Sequence, residues 1–382
     1  MNMDFKSAEE LLNLCEENQL PISEVMRQRE CLLGEVPRDS VNHRMGKAWE
    51  IMRSSATQPL KKPIKSMGGL IGGEAKKLEA HDAKKKSICG DVLEKAITYA
   101  MAVLEVNASM GLIVAAPTAG SAGVVPGMML ALQECYRISD QRIVDALFNA
   151  GAVGYLAMRN ATVAGAVGGC QAEVGVASAM AASAAVELMG GTPQQCLDAA
   201  STVLMNMLGL VCDPVGGLVE YPCQNRNAAG VANALVAAEI SLSGIRQLIP
   251  FDQMLDTMYA VGKRLPAELR ETAQGGCATT PAACAACGVQ SLTGKIATGD
   301  LFVGDSATKA AIEAKCAPDC VEMEGAAVSQ IAAKNGVSCV ILRAMSDNAD
   351  EDGHEVLVVK KFSISEYVAT ATKIVAAMVE SL

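Results

Sequence analysis

Three cysteines stand where the chain is expected to turn. They occur in the segments GGCQAE, GLVCDP and EYPCQNRN, as Cys170, Cys212 and Cys223. Glycine before the first cysteine and proline beside the other two favour breaks in regular structure, where thiolates from distant segments can converge. Three converging thiolates can hold an iron–sulfur cluster, and a missing fourth thiolate leaves one iron free to act as a Lewis acid. The alternative is that these residues, among 14 cysteines in the chain, are small buried hydrophobic side chains.

Further motifs accompany these cysteines. Asn107 lies in the segment NASMG, Pro117 opens PTAGSAG, and Arg226 begins RNA. Together with the cysteine segments, separated by 42 and 11 residues, these motifs resemble the catalytic (alpha) chain of the iron–sulfur L-serine dehydratases. The resemblance covers about residues 3 to 287. It implies an L-serine ammonia-lyase that forms pyruvate and ammonia, with a [4Fe-4S] cluster held by the three cysteines and with substrate at the fourth iron.

Two loops are candidates for substrate binding. The first contains the glycine pairs of GGLIGG, which are unfavourable inside a helix, and it precedes a helix that we expect to begin near Gly73; a flexible linker is the alternative. The second precedes a helix that we expect to begin near Val124. Backbone amides at a helix start can hold a carboxylate. With the resemblance, the predicted substrate-binding residues are Ser66, Gly68, Gly69, Asn107, Pro117, Thr118, Ala119, Gly120 and Ser121.

The catalytic base is not identified by the sequence. The histidines His43, His81 and His354 lie outside all of these motifs, and a lysine near the glycine loop would need burial to act as a base. In the dehydratase family a separate beta chain or second domain carries a Ser-Ser-His-Thr segment, which has no counterpart here. The resemblance therefore implies a beta-subunit partner.

The elements that position these residues are predicted to be helices. Apolar residues make up 51% of the 382 residues, but aromatic residues only 3%, which favours closely packed helices rich in alanine and valine. We predict a helical pair over 4–34 and helices at about 39–56, 89–115, 140–160, 171–189, 193–209, 227–247 and 251–264. The predicted fold is mainly α, with an all-helical catalytic domain over 1–287 and a small α/β segment over 292–382.

Composition restricts the partners. A net charge of −10 without a basic stripe argues against nucleic acid. Apolar stretches are interrupted by Gly, Pro or charge, so we expect no membrane span. The first residues show no basic region before an apolar core, and 14 cysteines are typical of cytosolic thiols and metal ligands. We therefore expect a cytoplasmic protein. The resemblance implies L-serine and a beta subunit as its partners, and a homo-oligomer stays open.

The last 91 residues have a different character. Predicted strands at 296–298, 320–322 and 338–343 alternate with predicted helices at 325–335 and 365–381. The motifs TGDLFV, VEMEGA and RAMSDNAD resemble the C-terminal part of the methylthioadenosine/S-adenosylhomocysteine nucleosidases. That resemblance implies a vestigial nucleosidase site made of Phe302, Met323, Glu324 and Asp347. The N-terminal half of that family has no counterpart here, so we expect no nucleosidase activity from this segment alone.

Two other function classes remain open. The chain could be an inactive fusion remnant or interaction module, with the nucleosidase-like segment as a docking surface. A pyridoxal-phosphate lyase would carry out the same reaction through a lysine Schiff base. It would leave the three cysteine motifs unexplained, and we find no lysine in a recognisable cofactor setting.

Overall fold

The computed structural model describes residues 3–84, 87–286, 294–301, 303–337, 339, 341 and 349. The chain divides into two compact units, Met1–Gln290 and Ser291–Leu382. Unit 1 is built from helices and unit 2 contains two short strands. The prediction of a mainly α fold is thus confirmed, whereas the functions given to the segments 1–287 and 292–382 stay predictions.

The helices of unit 1, in chain order, are α1 (Ala8–Asn18), α2 (Ile22–Leu33), α3 (Arg38–Lys61), α4 (Glu74–Asp82), α5 (Gly90–Ala108), α6 (Val124–Tyr136), α7 (Asp140–Asn160), α8 (Gly165–Gly168), α9 (Val176–Leu188), α10 (Pro193–Asn206), α11 (Cys223–Leu242), α12 (Phe251–Arg264) and α13 (Pro281–Ala286). A single π-helical turn, Gln171–Gly175, leads directly into α9. None of the helices in the described part combines the length and the apolar character needed to cross a lipid bilayer.

Several predicted helix boundaries differ from the structure by a few residues, and two of the differences have clear local reasons. The helix predicted over 89–115 ends at Ala108, because Met110 adopts a left-handed conformation with a φ of 61° and the Gly111 amide bonds back to the Val106 carbonyl at 2.9 Å. The helix predicted from residue 227 begins at Cys223. Pro222 precedes the first residue of this helix, and proline fits a helix start because its missing N–H would have no intrahelical partner there.

Helix α9 lies at the centre of unit 1. Its residues are buried except for Glu187, which is half-buried, and it packs against α6, α7, α10 and α11. Small side chains allow the helices to approach closely: a Cβ atom built on Gly230 of α11 would lie 2.7 Å from the Ser178 hydroxyl of α9. A core of alanine, valine and glycine thus replaces the aromatic side chains that the composition lacks.

Buried polar groups of α9 are satisfied by its neighbours. The Ser183 hydroxyl donates to the Asn149 side-chain oxygen at 2.6 Å, and the Asn149 amide donates to the Glu187 carboxylate at 2.7 Å. The same carboxylate accepts the Ser23 amide at 3.2 Å, at the start of α2. Buried polar groups need such partners, and this network fixes the rotation of α9 relative to α2 and α7.

Unit 2 contains the strands β1 (Ile296–Thr298) and β2 (Cys320–Glu322) and the helices α14 (Ser306–Cys316) and α15 (Gly325–Lys334). The strands pair in parallel, with Ile296 opposite Cys320, and α14 makes the crossover that a parallel pair requires. These two strands and α15 confirm the predicted α/β pattern. The strand predicted at 338–343 lies largely, and the helix at 365–381 wholly, outside the described residues.

Candidate metal centre

The structure brings the three predicted cysteine ligands together in unit 1. Cys170 lies between α8 and the π turn, Cys212 in the loop after α10, and Cys223 at the first position of α11. All three are buried. The Sγ atoms of Cys170 and Cys212 and a carboxylate oxygen of Glu173 lie within 4.8 Å of one another, and Cys223 is close enough to interact electrostatically with Cys170 and Cys212. This Cys–Glu–Cys group can bind a metal.

Local backbone constraints place Cys170. Gly169 has a φ of 73°, and a Cβ atom there would lie 2.8 Å from the Leu210 carbonyl oxygen, so only glycine fits. The Gln171 amide donates to the same Leu210 carbonyl at 3.0 Å. The Gln171 side chain then accepts the Gly209 amide at 2.9 Å and donates to the Met258 carbonyl at 3.0 Å. The segment that carries Cys170 is therefore tied to the loop that carries Cys212.

Backbone hydrogen bonds also fix Cys212. Its amide donates to the Leu269 carbonyl at 2.8 Å, and its carbonyl accepts the Glu271 amide at 2.7 Å. These hydrogen bonds belong to an isolated parallel β-bridge between Cys212 and Arg270, a residue that follows α12. Both backbone groups of this cysteine are thus satisfied, which leaves the thiol as its remaining polar group.

The surroundings of Cys212 and Cys223 favour the neutral form of these two thiols. The pKa of Cys212 is raised by a hydrogen bond to Cys170 and by burial, and the pKa of Cys223 is raised by burial and by the nearby Cys170. Metal binding requires thiolates, and a bound cation is what would favour that form here. The Arg226 guanidinium supplies positive charge at the edge of the group, since Nη1 lies 3.8 Å from the Cys170 Sγ atom.

Glu173 joins the cysteines to the second predicted substrate loop. The Thr118 hydroxyl donates to one carboxylate oxygen of Glu173 at 2.9 Å, and the Cys212 thiol donates to the other at 3.8 Å. Burial and the nearby Glu271 raise the pKa of Glu173 to about 7. No role was predicted for Glu173 from the sequence. It nevertheless lies three positions after Cys170, a spacing that places side chains on one face of a helix.

The loop that contains Pro117, Thr118, Ala119, Gly120 and Ser121 lies against the cysteine group. The buried Asn227 side chain donates to the Gly120 carbonyl at 2.8 Å and to the Cys223 carbonyl at 2.9 Å. The Thr118 and Ser121 hydroxyls are 3.0 Å apart. Within the described residues, the amides of Ala119, Gly120 and Ser121 donate to no acceptor. This loop therefore offers free donors close to Glu173.

The glycine loop has its polar groups engaged within the chain. The Ser66 hydroxyl donates to the Glu220 carboxylate at 2.7 Å, and the Gly68 amide donates to it at 2.6 Å. The Gly69 amide donates to the Ser66 hydroxyl oxygen at 3.1 Å. Asn107 lies in the last turn of α5, next to the Ala108 carbonyl that accepts a hydrogen bond from Met67 of this loop at 2.9 Å. A substrate role for Ser66, Gly68, Gly69 and Asn107 stays a prediction.

Little of the predicted nucleosidase site falls on described residues. Phe302 and Asp347 lie outside them, whereas Met323 is exposed and Glu324 directly precedes α15. The Glu322 carboxylate accepts the amides of Glu324 and Gly325, the first residue of α15. The alanine-rich segment CAAC contains a further pair of cysteines: Cys284 is buried in α13, and Cys287 lies outside the described residues.

The part of the chain that contains the cysteine group is similar to known proteins. The family model "Serine dehydratase alpha chain" matches residues 17–278, which lie in unit 1 and contain the cysteine group. The chain is 46% identical to the probable L-serine dehydratase alpha chain of Bacillus subtilis, over 72% of this chain and 92% of that protein. It is 42% identical to the L-serine dehydratase alpha chain of Peptoniphilus asaccharolyticus, over 72% and 94%. A Helicobacter pylori L-serine dehydratase is 38% identical over 72% of this chain, but that match spans 62% of the relative.

Proposed function

The chain belongs to the serine dehydratase alpha chain family, and from this premise we propose that it is an L-serine ammonia-lyase that forms pyruvate and ammonia. The observation that carries the proposal is the meeting of two cysteine thiols and the Glu173 carboxylate within 4.8 Å. The relatives are named L-serine dehydratases, which supports the substrate. The conversion removes the hydroxyl group and the α-proton of serine and needs no net oxidation.

The proposed cofactor is a [4Fe-4S] cluster, and the donor set fits it. Three buried cysteines that form no disulfide are brought together from three segments, with a carboxylate beside them. Cys170, Cys212 and Cys223 would hold the cluster. When bound, such a cluster with one iron lacking a cysteine ligand supplies a Lewis acid for departure of the substrate hydroxyl.

The residues around the cysteines suit an amino-acid zwitterion. Free amides of the loop Ala119–Ser121 precede α6, where the helix dipole favours a carboxylate. The Glu173 carboxyl group lies beside this loop and offers an oxygen that can accept a hydrogen bond from an ammonium group. The Thr118 hydroxyl fixes Glu173 through its 2.9 Å hydrogen bond, so the proposed carboxylate and ammonium contacts have a defined spacing. No residue of the chain is assigned as the base.

The proposal includes a separate beta subunit and a cytoplasmic location. Relatives that this chain covers almost completely are named alpha chains, and the Helicobacter pylori relative is longer than the matched part. A separate beta subunit would supply the region that the longer relative has in its own chain outside the matched part. The segment 292–382 is proposed as a nucleosidase-like appendage without activity of its own.

The test is anaerobic purification after co-expression with a family beta chain. We expect a brown protein with about four irons per alpha chain that forms pyruvate from L-serine. The Cys212→Ala variant should lose iron and activity together. The control is Cys196→Ala, which removes a fully buried thiol from α10 outside the cysteine group and should retain both.

Two results would contradict the proposal. A complex that is folded but contains no iron and is inactive would favour the alternative that the chain is an inactive fusion remnant. A yellow protein that is bleached by borohydride would indicate a pyridoxal-phosphate Schiff base instead.

A further inference from the structure

The backbone amides of the glycine loop bind carboxylates, and these carboxylates belong to glutamates of the same chain. The amides of Gly68 and Leu70 donate to Glu220 at 2.6 and 3.0 Å. The Gly72 amide donates to Glu74 at 2.6 Å, and the Ala75 amide at the start of α4 donates to Glu105 at 3.0 Å. Three internal carboxylates thus occupy four amides of the glycine loop and of the start of α4, including the amide of Gly68, which was predicted to bind substrate.

Glu220 is the acceptor that connects distant parts of the chain. Its side chain is buried and accepts from the Ser66 hydroxyl as well as from the two amides, so three donors stabilise its charge. Its backbone carbonyl accepts the Gln224 amide at 3.0 Å, in the first turn of the helix that begins at Cys223. One residue therefore joins the glycine loop to the segment that carries a cysteine of the metal group.

The steric environment of Gly68 fits this arrangement. A Cβ atom on Gly68 would lie 2.3 Å from a Leu218 methyl carbon and 2.8 Å from a Glu220 carboxylate oxygen. A distance below 3 Å requires one of the groups to move. A methyl group at this position would have to displace the ends of the Leu218 and Glu220 side chains.

We propose that Glu220 is a positioning residue whose carboxylate locks the glycine loop to the Cys223 segment, so that the loop and the metal ligand are held as one unit. The inference rests on the proposed function, since it takes Cys223 as a cluster ligand and the loop before α6 as the place where the substrate carboxylate binds. While Glu220 occupies the amides of Gly68 and Leu70, an amino-acid carboxylate is kept off them. The substrate carboxylate then binds the free amides of the loop before α6.

The first test uses the full-length chain without iron, so that it does not depend on activity. Iodoacetamide labelling of Cys223 is followed by peptide mass spectrometry, with the buried Cys196 as an internal reference. Glu220→Gln keeps one acceptor but presents an NH₂ group to the loop donors, and we expect Cys223 to be labelled about tenfold faster or more. Gly68→Ala displaces the same carboxylate and should give the same selective change.

The controls separate positioning from general loss of structure. Gly46→Ala lies in α3 with no atom within 4 Å of the added carbon and should leave the labelling of both cysteines unchanged. Glu220→Asp retains the charge and should restore part of the protection. An unchanged ratio of Cys223 to Cys196 labelling in both Glu220→Gln and Gly68→Ala would overturn the inference.

The second test uses the iron-loaded complex with a beta chain. We expect Glu220→Gln to lose iron to a chelator about tenfold faster than the wild type and to raise the KM for L-serine. If substrate instead displaces Glu220 from the loop, the variant should show a lower KM and unchanged Cys223 labelling, which would overturn the inference. A wild-type complex without iron or pyruvate formation would contradict the proposed function. It would leave the labelling test of Glu220 valid, because that test compares Cys223 with Cys196 in the iron-free chain.

Discussion

Arg226 connects the segments that carry two of the cysteines, and its replacement gives a quantitative test of the site. Its guanidinium Nη1 atom lies 2.6 Å from Asp213 Oδ1, 2.9 Å from the Val211 carbonyl oxygen and 3.8 Å from the Cys170 Sγ atom. The Asp213 side chain is only 2% exposed, compared with 15% for Arg226. The Asp213 charge therefore depends on Arg226 much more than the reverse.

The expected magnitudes follow from this asymmetry. Arg226→Gln leaves the Asp213 carboxylate buried beside the neutral donors of Cys277, whose amide lies 2.6 Å from Oδ2 and whose thiol also hydrogen-bonds to the carboxylate. Removing one partner of a buried ion pair costs about 3–5 kcal/mol. Asp213→Asn should cost about 1–3 kcal/mol, because the guanidinium is partly hydrated and the new side chain can still accept the Cys277 amide. The double variant should lose less than the sum, with a coupling energy of about 1–3 kcal/mol.

The assay is anaerobic urea unfolding of the iron-free chain, followed by tryptophan fluorescence. Trp49 is the only tryptophan of the sequence and lies buried in unit 1, so its emission reports on the unit that contains the site. Additive losses, or a loss below about 1 kcal/mol for Arg226→Gln, would refute the view that this pair holds the cysteine segments together.

Three further predictions concern packing, pH and substrate binding. Gly123→Ala should lower the free energy of unfolding by about 1–3 kcal/mol in the same urea assay, since the added carbon would lie 2.3 Å from the Ala100 carbonyl oxygen, whereas Gly46→Ala should be neutral or stabilising. Burial alone would raise the pKa of Glu24, but hydrogen bonds from two arginines and a glutamine outweigh it and hold this pKa at about 2. Because the folded-state pKa is lower than the usual 4.5, this group contributes up to about 3 kcal/mol to the free energy of unfolding above pH 4.5, and the contribution is lost as the pH falls towards 2. In Glu24→Gln, the free energy of unfolding should therefore change less with pH across that range. Thr118→Val removes the hydroxyl that holds the buried glutamate of the metal group and should raise the KM for L-serine about tenfold without loss of iron; an unchanged KM would separate that hydroxyl from substrate binding.

The sequence predicted the convergence of the cysteines because each lies where local residues break a helix. Gly169 before Cys170 and Pro222 before Cys223 act through backbone geometry within one or two residues, so their effect can be read without the fold. The helices of unit 1 and the two described strands of unit 2 were also predictable, because composition and residue pattern act over short stretches of chain. The early end of α5 at Ala108 was missed, because the apolar pattern continues beyond the last helical hydrogen bonds.

The missed parts of the site depend on contacts between distant segments. Glu220 fills the glycine loop from a position 152 residues after Gly68, and no local pattern identifies such an acceptor. Glycine-rich loops supply amides, but the sequence does not show whether those amides are already engaged. Glu173 had a local indication in its spacing from Cys170, yet its contact with Thr118 spans 55 residues and required the fold.

One helical turn of α11 explains how these distant segments come into register. Cys223, Arg226 and Asn227 are spaced three and four positions from the first residue, so their side chains share one face of the helix. Arg226 reaches the segments of Cys170 and Cys212, and Asn227 accepts the Gly123 amide at 3.0 Å while it donates to the Gly120 carbonyl. The proposed cluster ligand Cys223, the positive charge of Arg226 and the side chain that holds the proposed substrate loop are therefore all carried by the first turn of a single helix. In an interior filled mainly by alanine and valine, whose nondirectional contacts leave rotation and register loosely specified, these buried directional bonds fix the relative positions of the groups in the proposed site.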